Sequence, residues 1–251
     1  MSTLPIYVWA MVLAGVIGTT ATICVMLWRG ATTAGVSRHS ATRVAVIAGI
    51  VWGAWVLVSG LLANAEVFRF QPTKAAPWIA VAMIVPLVAV LLSTRVPLVS
   101  RILDQPDALW RLTLPQFFRP VGVTFLVAMA LGYLPAVFAI PAGIGDIAIG
   151  VEAVFIARNL RRGIVHRSTV WFNVLGLLDL VVALAIGVMA APGLARLLVV
   201  SPSTEAISLL PLVLIPTTIV PLAVALHVLS LRKLRVGAET ATVVAPVGNT
   251  K

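Results

Sequence analysis

Residues 141–180 read PAGIGDIAIGVEAVFIARNLRRGIVHRSTVWFNVLGLLDL, and this stretch decides how the whole chain is read. Two apolar runs flank a short basic loop. Asp146, Glu152 and Asp179 stand inside the runs, three of only eight acidic residues in the chain. Runs of such length suit helices crossing a ~30 Å hydrocarbon core. An ionised carboxylate there costs at least ~2.5–3.5 kcal/mol on insertion scales, so it belongs against a bundle interior or a water-filled cavity. The three acids therefore mark this as the candidate functional stretch.

The same apolar texture extends outward in both directions. The chain has 251 residues, 61% hydrophobic and 10% charged, against ~45–50% and ~25% in soluble domains. This composition predicts an all-α polytopic transmembrane bundle of about seven helices. The spans are read at about 4–28, 44–63, 78–92, 118–140, 142–158, 169–191 and 207–231, within one membrane domain over 1–235. Helices are the default because backbone groups in lipid must be satisfied within their own segment. The alternation of a membrane barrel is absent. The first run lacks a basic leader and is too long for a cleaved signal, so it reads as a retained helix. Residues 236–251 are small and aperiodic and read as a disordered cytoplasmic tail.

Lys and Arg counted over alternate loops give fifteen on one side and three (Arg69, Lys74 and Arg196) on the other. That asymmetry predicts the N-terminus outside and the C-terminus inside, in a prokaryotic plasma membrane. The net charge of +10 then reflects loops that meet anionic lipid at the cytoplasmic face, not nucleic acid. The longest interior loop, 93–119, reads as an amphipathic connector. It interleaves apolar residues with arginines and carries Trp110, Phe117 and Phe118 beside Arg111 and Arg119.

Each acid has two readings. Asp146 follows a glycine-rich start to the fifth span and suits either a helix cap or contact with a cation or substrate. Glu152 lies six residues further, ~9 Å along a helix and on a different face. Its expected partners are arginines reaching inward, Arg119 or Arg158. Asp179 stands ten residues into the sixth span, ~15 Å deep, with no basic residue within one turn. It suits proton or cation coupling, or a buried interhelical hydrogen bond, with Asn173 six residues before it. The seventh span carries Pro211, Pro216 and Pro221, with Thr217 and Thr218 between. Such prolines free backbone carbonyls that threonine hydroxyls or water then satisfy. His227, near the inner end of that span, suits a hydrogen-bonded interfacial role or a proton relay.

Several activities are argued down. No lysine lies in the last span to carry retinal, and no paired intramembrane histidines hold haem. No Walker-type loop, HExxH, CxxC or GxSxG occurs. The single cysteine, Cys24, allows no intrachain disulfide. No cofactor and no metal site is expected. Gly49 and Gly53 have GxxxG-like spacing, a common packing motif. Residues 84–91 (IVPLVAVL) echo 219–226 (IVPLAVAL), which suggests a three-one-three repeat.

Three segments, FRPVGVTFLVAMALGYLPAVFAIPAGIGDIAIG (118–150), WFNVLGLLDLVVALAIG (171–187) and LPLVLIPTTIVPLAVALHVLSL (210–231), resemble a group of bacterial multi-pass membrane proteins with no assigned activity. The resemblance covers roughly 118–231. It implies a membrane location and carries over no site residue.

These readings favour a small-molecule or cation transporter using Asp146, Glu152 and Asp179 beside a broken seventh span. One alternative is a non-transporting scaffold or sensor that binds a partner or anionic lipid. The other is a membrane enzyme acting on a lipid, which the lack of clustered aspartates for Mg²⁺ places lower.

Overall fold

The computed structural model describes residues 4–70 and 77–244, with side chains through Gly237. Lys74 and Lys251, counted above, lie outside the described residues. Among those described, regular structure is entirely helical. Helices α1 (Ile6–Thr33) and α2 (Arg38–Asn64) form an antiparallel pair. Their turn uses Gly35 at φ +79°, a value that favours glycine. Ser37 then caps α2 by accepting from the Ser40 N–H. Helix α3 (Trp78–Ser93) bends by 79° into the short α4 (Pro97–Asp104). Next, α5 (Ala108–Thr113), a 3₁₀ stretch (Leu114–Gly122) and α6 (Val123–Ala130) join into one span-length element. Helices α7 (Ala136–Arg161) and α8 (Arg167–Met189) follow. A π-helical turn, Ile215–Ile219, runs directly into α9 (Val220–Val244).

Among the described residues, six helices are long and apolar enough to cross a membrane, seven if the bent α3–α4 pair counts as one span. Their outward faces are apolar as well: Ile50 of α2, Phe155 of α7 and Val181 of α8 are 66%, 58% and 60% exposed. Such an exterior suits hydrocarbon. One end of the bundle is basic. There Arg101 donates to the Ala34 carbonyl at 3.1 Å, and Lys233 to the Asp104 carbonyl at 2.9 Å. At the opposite end Arg69 pairs with Glu66 at 3.1 Å and Glu205 at 3.4 Å. The largest core cluster fills the half toward that end, with Phe125 and Phe138 edge to face at 5.2 Å.

Three sequence expectations change. The chain does not run straight through 118–140. It turns at residues 131–135, with Gly132 at φ +80°, and α7 begins at Ala136. The preceding span therefore begins at Ala108. The 3₁₀ stretch explains this, because its tighter winding carries Pro115 and Pro120 without ending the element. The expected interior loop 93–119 shortens accordingly. Arg111 and Arg119, counted as loop charges, are only 4% and 3% exposed inside the bundle. Third, helical order does not stop at Arg235. Helix α9 continues to Val244, since no proline interrupts it before Pro246. Residues 245–251 of the expected tail lie outside the described residues.

The echoed segments 84–91 and 219–226 fall on α3, and on the π turn and α9. These elements pack against one another.

Candidate functional site: a shared arginine

Asp146 of α7 and Asp179 of α8 accept from a single guanidinium. Arg119 donates through Nε to Asp146 Oδ1 and through Nη2 to Asp179 Oδ2. Arg119 is the middle residue of the Ala108–Ala130 element. Its side chain is 3% exposed, and those of Asp146 and Asp179 are 11% and 15% exposed. Three elements thus meet through one cation at the centre of the bundle.

Glycines permit the approach. A Cβ at Gly122 would strike Asp146, one at Gly145 would strike the Asp179 carboxylate, and one at Gly150 would strike Pro120. Small residues at such crossings let backbones come close enough for short side chains to reach across.

Two carboxylates face one cation here. In a low-dielectric interior an uncompensated charge is expensive. The charges balance when one carboxyl carries a proton or when a second cation joins. The arrangement is therefore able to hold one exchangeable positive charge.

A second buried polar set lies nearer the basic end. His227 of α9 is 0% exposed, and its Nδ1 lies 2.9 Å from Asn173 Oδ1. Asn173 Nδ2 in turn donates to the Thr169 carbonyl at 2.7 Å. Thr169, Asn173 and Gly176 follow i, i+4, i+7 spacing and share one face of α8. A Cβ at Gly176 would meet the imidazole, and Phe172 stands edge-on to it at 5.4 Å. Arg119 Nη1 and His227 Nε2 are both buried without a hydrogen-bond partner among the described residues.

The remaining candidates lie elsewhere. Thr217 and Thr218 donate back to the Val213 and Leu214 carbonyls at 2.8 and 2.5 Å. Pro221 has no N–H for the Thr217 carbonyl, and Trp55 Nε1 of α2 donates to it instead, at 2.9 Å. The threonines thus serve the broken helix itself. Glu152 points to the outer side of α7, where its neighbours Val151 and Phe155 are 51% and 58% exposed. Among the described residues it has no ion pair or hydrogen bond. The expected pairing of Glu152 with Arg119 or Arg158 is corrected. Arg119 is taken by the two aspartates, and Arg158 is exposed at the end of α7. Six residues of helical rotation separate Asp146, facing in, from Glu152, facing out.

Gln116 was overlooked by sequence reasoning. It lies one 3₁₀ turn before Arg119, is 2% exposed, and donates to the Ala223 carbonyl at 3.3 Å. No group of three or more His, Cys, Asp or Glu placed to hold a metal occurs among the described residues.

Residues 76–235 match the family model described as "Domain of unknown function (DUF8737)". The matched stretch contains Arg119, Asp146, Asp179, Asn173 and His227. No curated protein and no solved structure matches the chain.

Proposed function

The chain belongs to this family of unknown function, and from that premise we propose that it is an integral membrane transporter whose Arg119 centre couples substrate movement to a proton or small cation. The observation that carries the reading is the pairing of Asp146 and Asp179 with one buried arginine. The excess carboxyl is the exchangeable site. The hydrogen-bonded residues His227, Asn173 and Thr169 stand between it and the basic end, and the proline-broken π turn supplies a joint in the adjacent helix. The opposite half is apolar, around Phe125 and Phe138.

In this reading the protein sits in a bacterial plasma membrane. Its basic end faces the cytoplasm and anionic lipid, which puts the N-terminus outside.

Proton flux into liposomes with an internal pH dye, under an imposed pH gradient, tests the reading. Wild type is expected to move protons. Asp179→Asn, checked for folding by its Tm in detergent, is expected to slow this by about a hundredfold. Equal rates would remove the coupling role.

One observation favours a second reading. The glycine seats at Gly122 and Gly145 fit the two carboxylates closely, as a purely structural clamp in a scaffold or sensor would require. Under that reading Asp179→Asn lowers Tm and no proton flux exists to lose.

A further inference from the structure

A different feature lies across the bundle from the ion centre. Helix α2 packs on α1 and the π turn, while α3 packs on α9 and the π turn. Between α2 and α3 lies a cavity of about 640 Å³, well within the ~300–1,000 Å³ of small-molecule sites. Trp52 and Trp55 of α2 face Val85 and Ala89 of α3 across it. The wall hydroxyls of Thr20, Ser93 and Thr94 donate to carbonyls within their own segments at 2.6–2.7 Å, so their protons are already used and they can only accept. The cavity opens sideways, because its lining residues Val51, Val58 and Val85 are 63%, 43% and 51% exposed. In a protein placed in a bilayer, that mouth faces acyl chains.

The basic end of the cavity differs from the rest. Helices α4 and α5 close it, and Arg111 lines it while 4% exposed. Arg111 Nη2 donates to Asp107 Oδ1 at 2.8 Å and to the Ile102 carbonyl at 2.9 Å. Arg111 Nε is buried and has no hydrogen-bond partner. Arg95, Arg101 and Lys233 gather at the same end, against the acids Asp104 and Asp107. Cations exceed acids there. The result is an apolar slot open to the side, with a buried guanidinium and a net positive rim at one end.

We propose that this cavity binds one anionic membrane lipid, with an acyl chain between α2 and α3 and the headgroup phosphate at the Arg111 end. An uncharged or zwitterionic lipid fits the slot and forgoes the charge-assisted bonds that arginine makes to phosphate. The inference needs the membrane placement proposed above but not the proton coupling.

Native mass spectrometry of delipidated protein, titrated with phosphatidylglycerol and with phosphatidylcholine of the same chains, tests it. Wild type is expected to retain one phosphatidylglycerol about tenfold more tightly than phosphatidylcholine. Ala54→Phe with Ala89→Phe fills the slot and is expected to abolish retention. Arg111→Gln is expected to bring the two lipids to equal affinity. Equal affinity on the wild type would overturn the proposal, and so would undiminished phosphatidylglycerol binding by the doubly filled variant. Because the wild-type comparison needs no variant to fold, the test stands even if Arg111→Gln does not. Lipid binding that fails beside intact proton flux would sink this inference and leave the transport reading in place.

Discussion

The two sides of this bundle treat buried space in opposite ways. On the α5–α8 side the helices close on charge, with Arg119, Asp146 and Asp179 seated against glycines that admit no extra methyl. On the α1–α3 side they stand apart around an apolar cavity of about 640 Å³. Electrostatics explains the contrast. An ion pair out of water needs contact distances and satisfied neighbours, because each unmet charge carries a desolvation penalty of several kcal/mol. Apolar walls have no such demand when hydrocarbon fills what protein does not. The ion side should therefore respond to substitution by unfolding, and the cavity side should be forgiving.

The largest expected effect is at Arg119. Arg119→Leu leaves two buried carboxylates without their cation, and breaking a buried pair from one side costs ~3–5 kcal/mol. A large fall in Tm in detergent is expected. Adding Asp146→Asn and Asp179→Asn to the same chain should restore most of it, since the triple variant leaves no charge at this centre. If Arg119→Leu alone melts like wild type, the pairing is not what holds α5–α8 together.

That arginine also marks where reading the sequence ran out. The apolar runs announced a helical bundle, and the acids in 141–180 announced a polar interior. Both signals are local, because hydropathy and charge are properties of a segment. Arg119 is legible as an inward-reaching arginine, but the misplaced turn sets it at the edge of its span and pairs it with Glu152 instead of Asp146 and Asp179. Gly132 and Pro135 bracket a break that the apolar texture around them disguises. Placing the turn at Gly132 and counting back one membrane thickness puts Arg119 at mid-span, level with Asp146 and Asp179. Two uncompensated acids at one depth then require a cation there. The loop charge count concealed this as well, since it assigned Arg111 and Arg119 to the surface. Glu152 failed for a different reason. The facing of an outer helix depends on which neighbours it packs against, and no segment-level signal contains that.

Glycine substitutions sharpen the comparison at intermediate size. Gly145→Ala on α7 drives a methyl into the Asp179 carboxylate and should cost ~1–3 kcal/mol through overpacking and displacement of the ion pair. Gly53→Ala on α2 meets nothing within 4 Å. It should instead gain about 0.5–1 kcal/mol from helix propensity. Opposite signs in Tm are the expected result. A loss at Gly53 comparable with that at Gly145 would mean that the α2 side is as tightly seated as the ion side.

The smallest effect compares two acids on one helix. Asp146 and Glu152 are six residues apart on α7, yet one is held by Arg119 and the other has no partner among the described residues. Glu152→Gln removes a charge that no protein group compensates, at an outward-facing position beside Val151 and Phe155. Neutralising an acid on an apolar outer face should leave Tm unchanged or raise it. Asp146→Asn, by contrast, takes a hydrogen-bonded carboxylate from the centre and should lower Tm measurably even though Asp179 still neutralises Arg119. Measured side by side at one pH, the pair separates two reasons for an acid to stand in an apolar helix. If Glu152→Gln proved the more damaging of the two, the outer face of α7 would have to be covered by something that pairs with Glu152, and the inward triad would no longer be the centre of this fold.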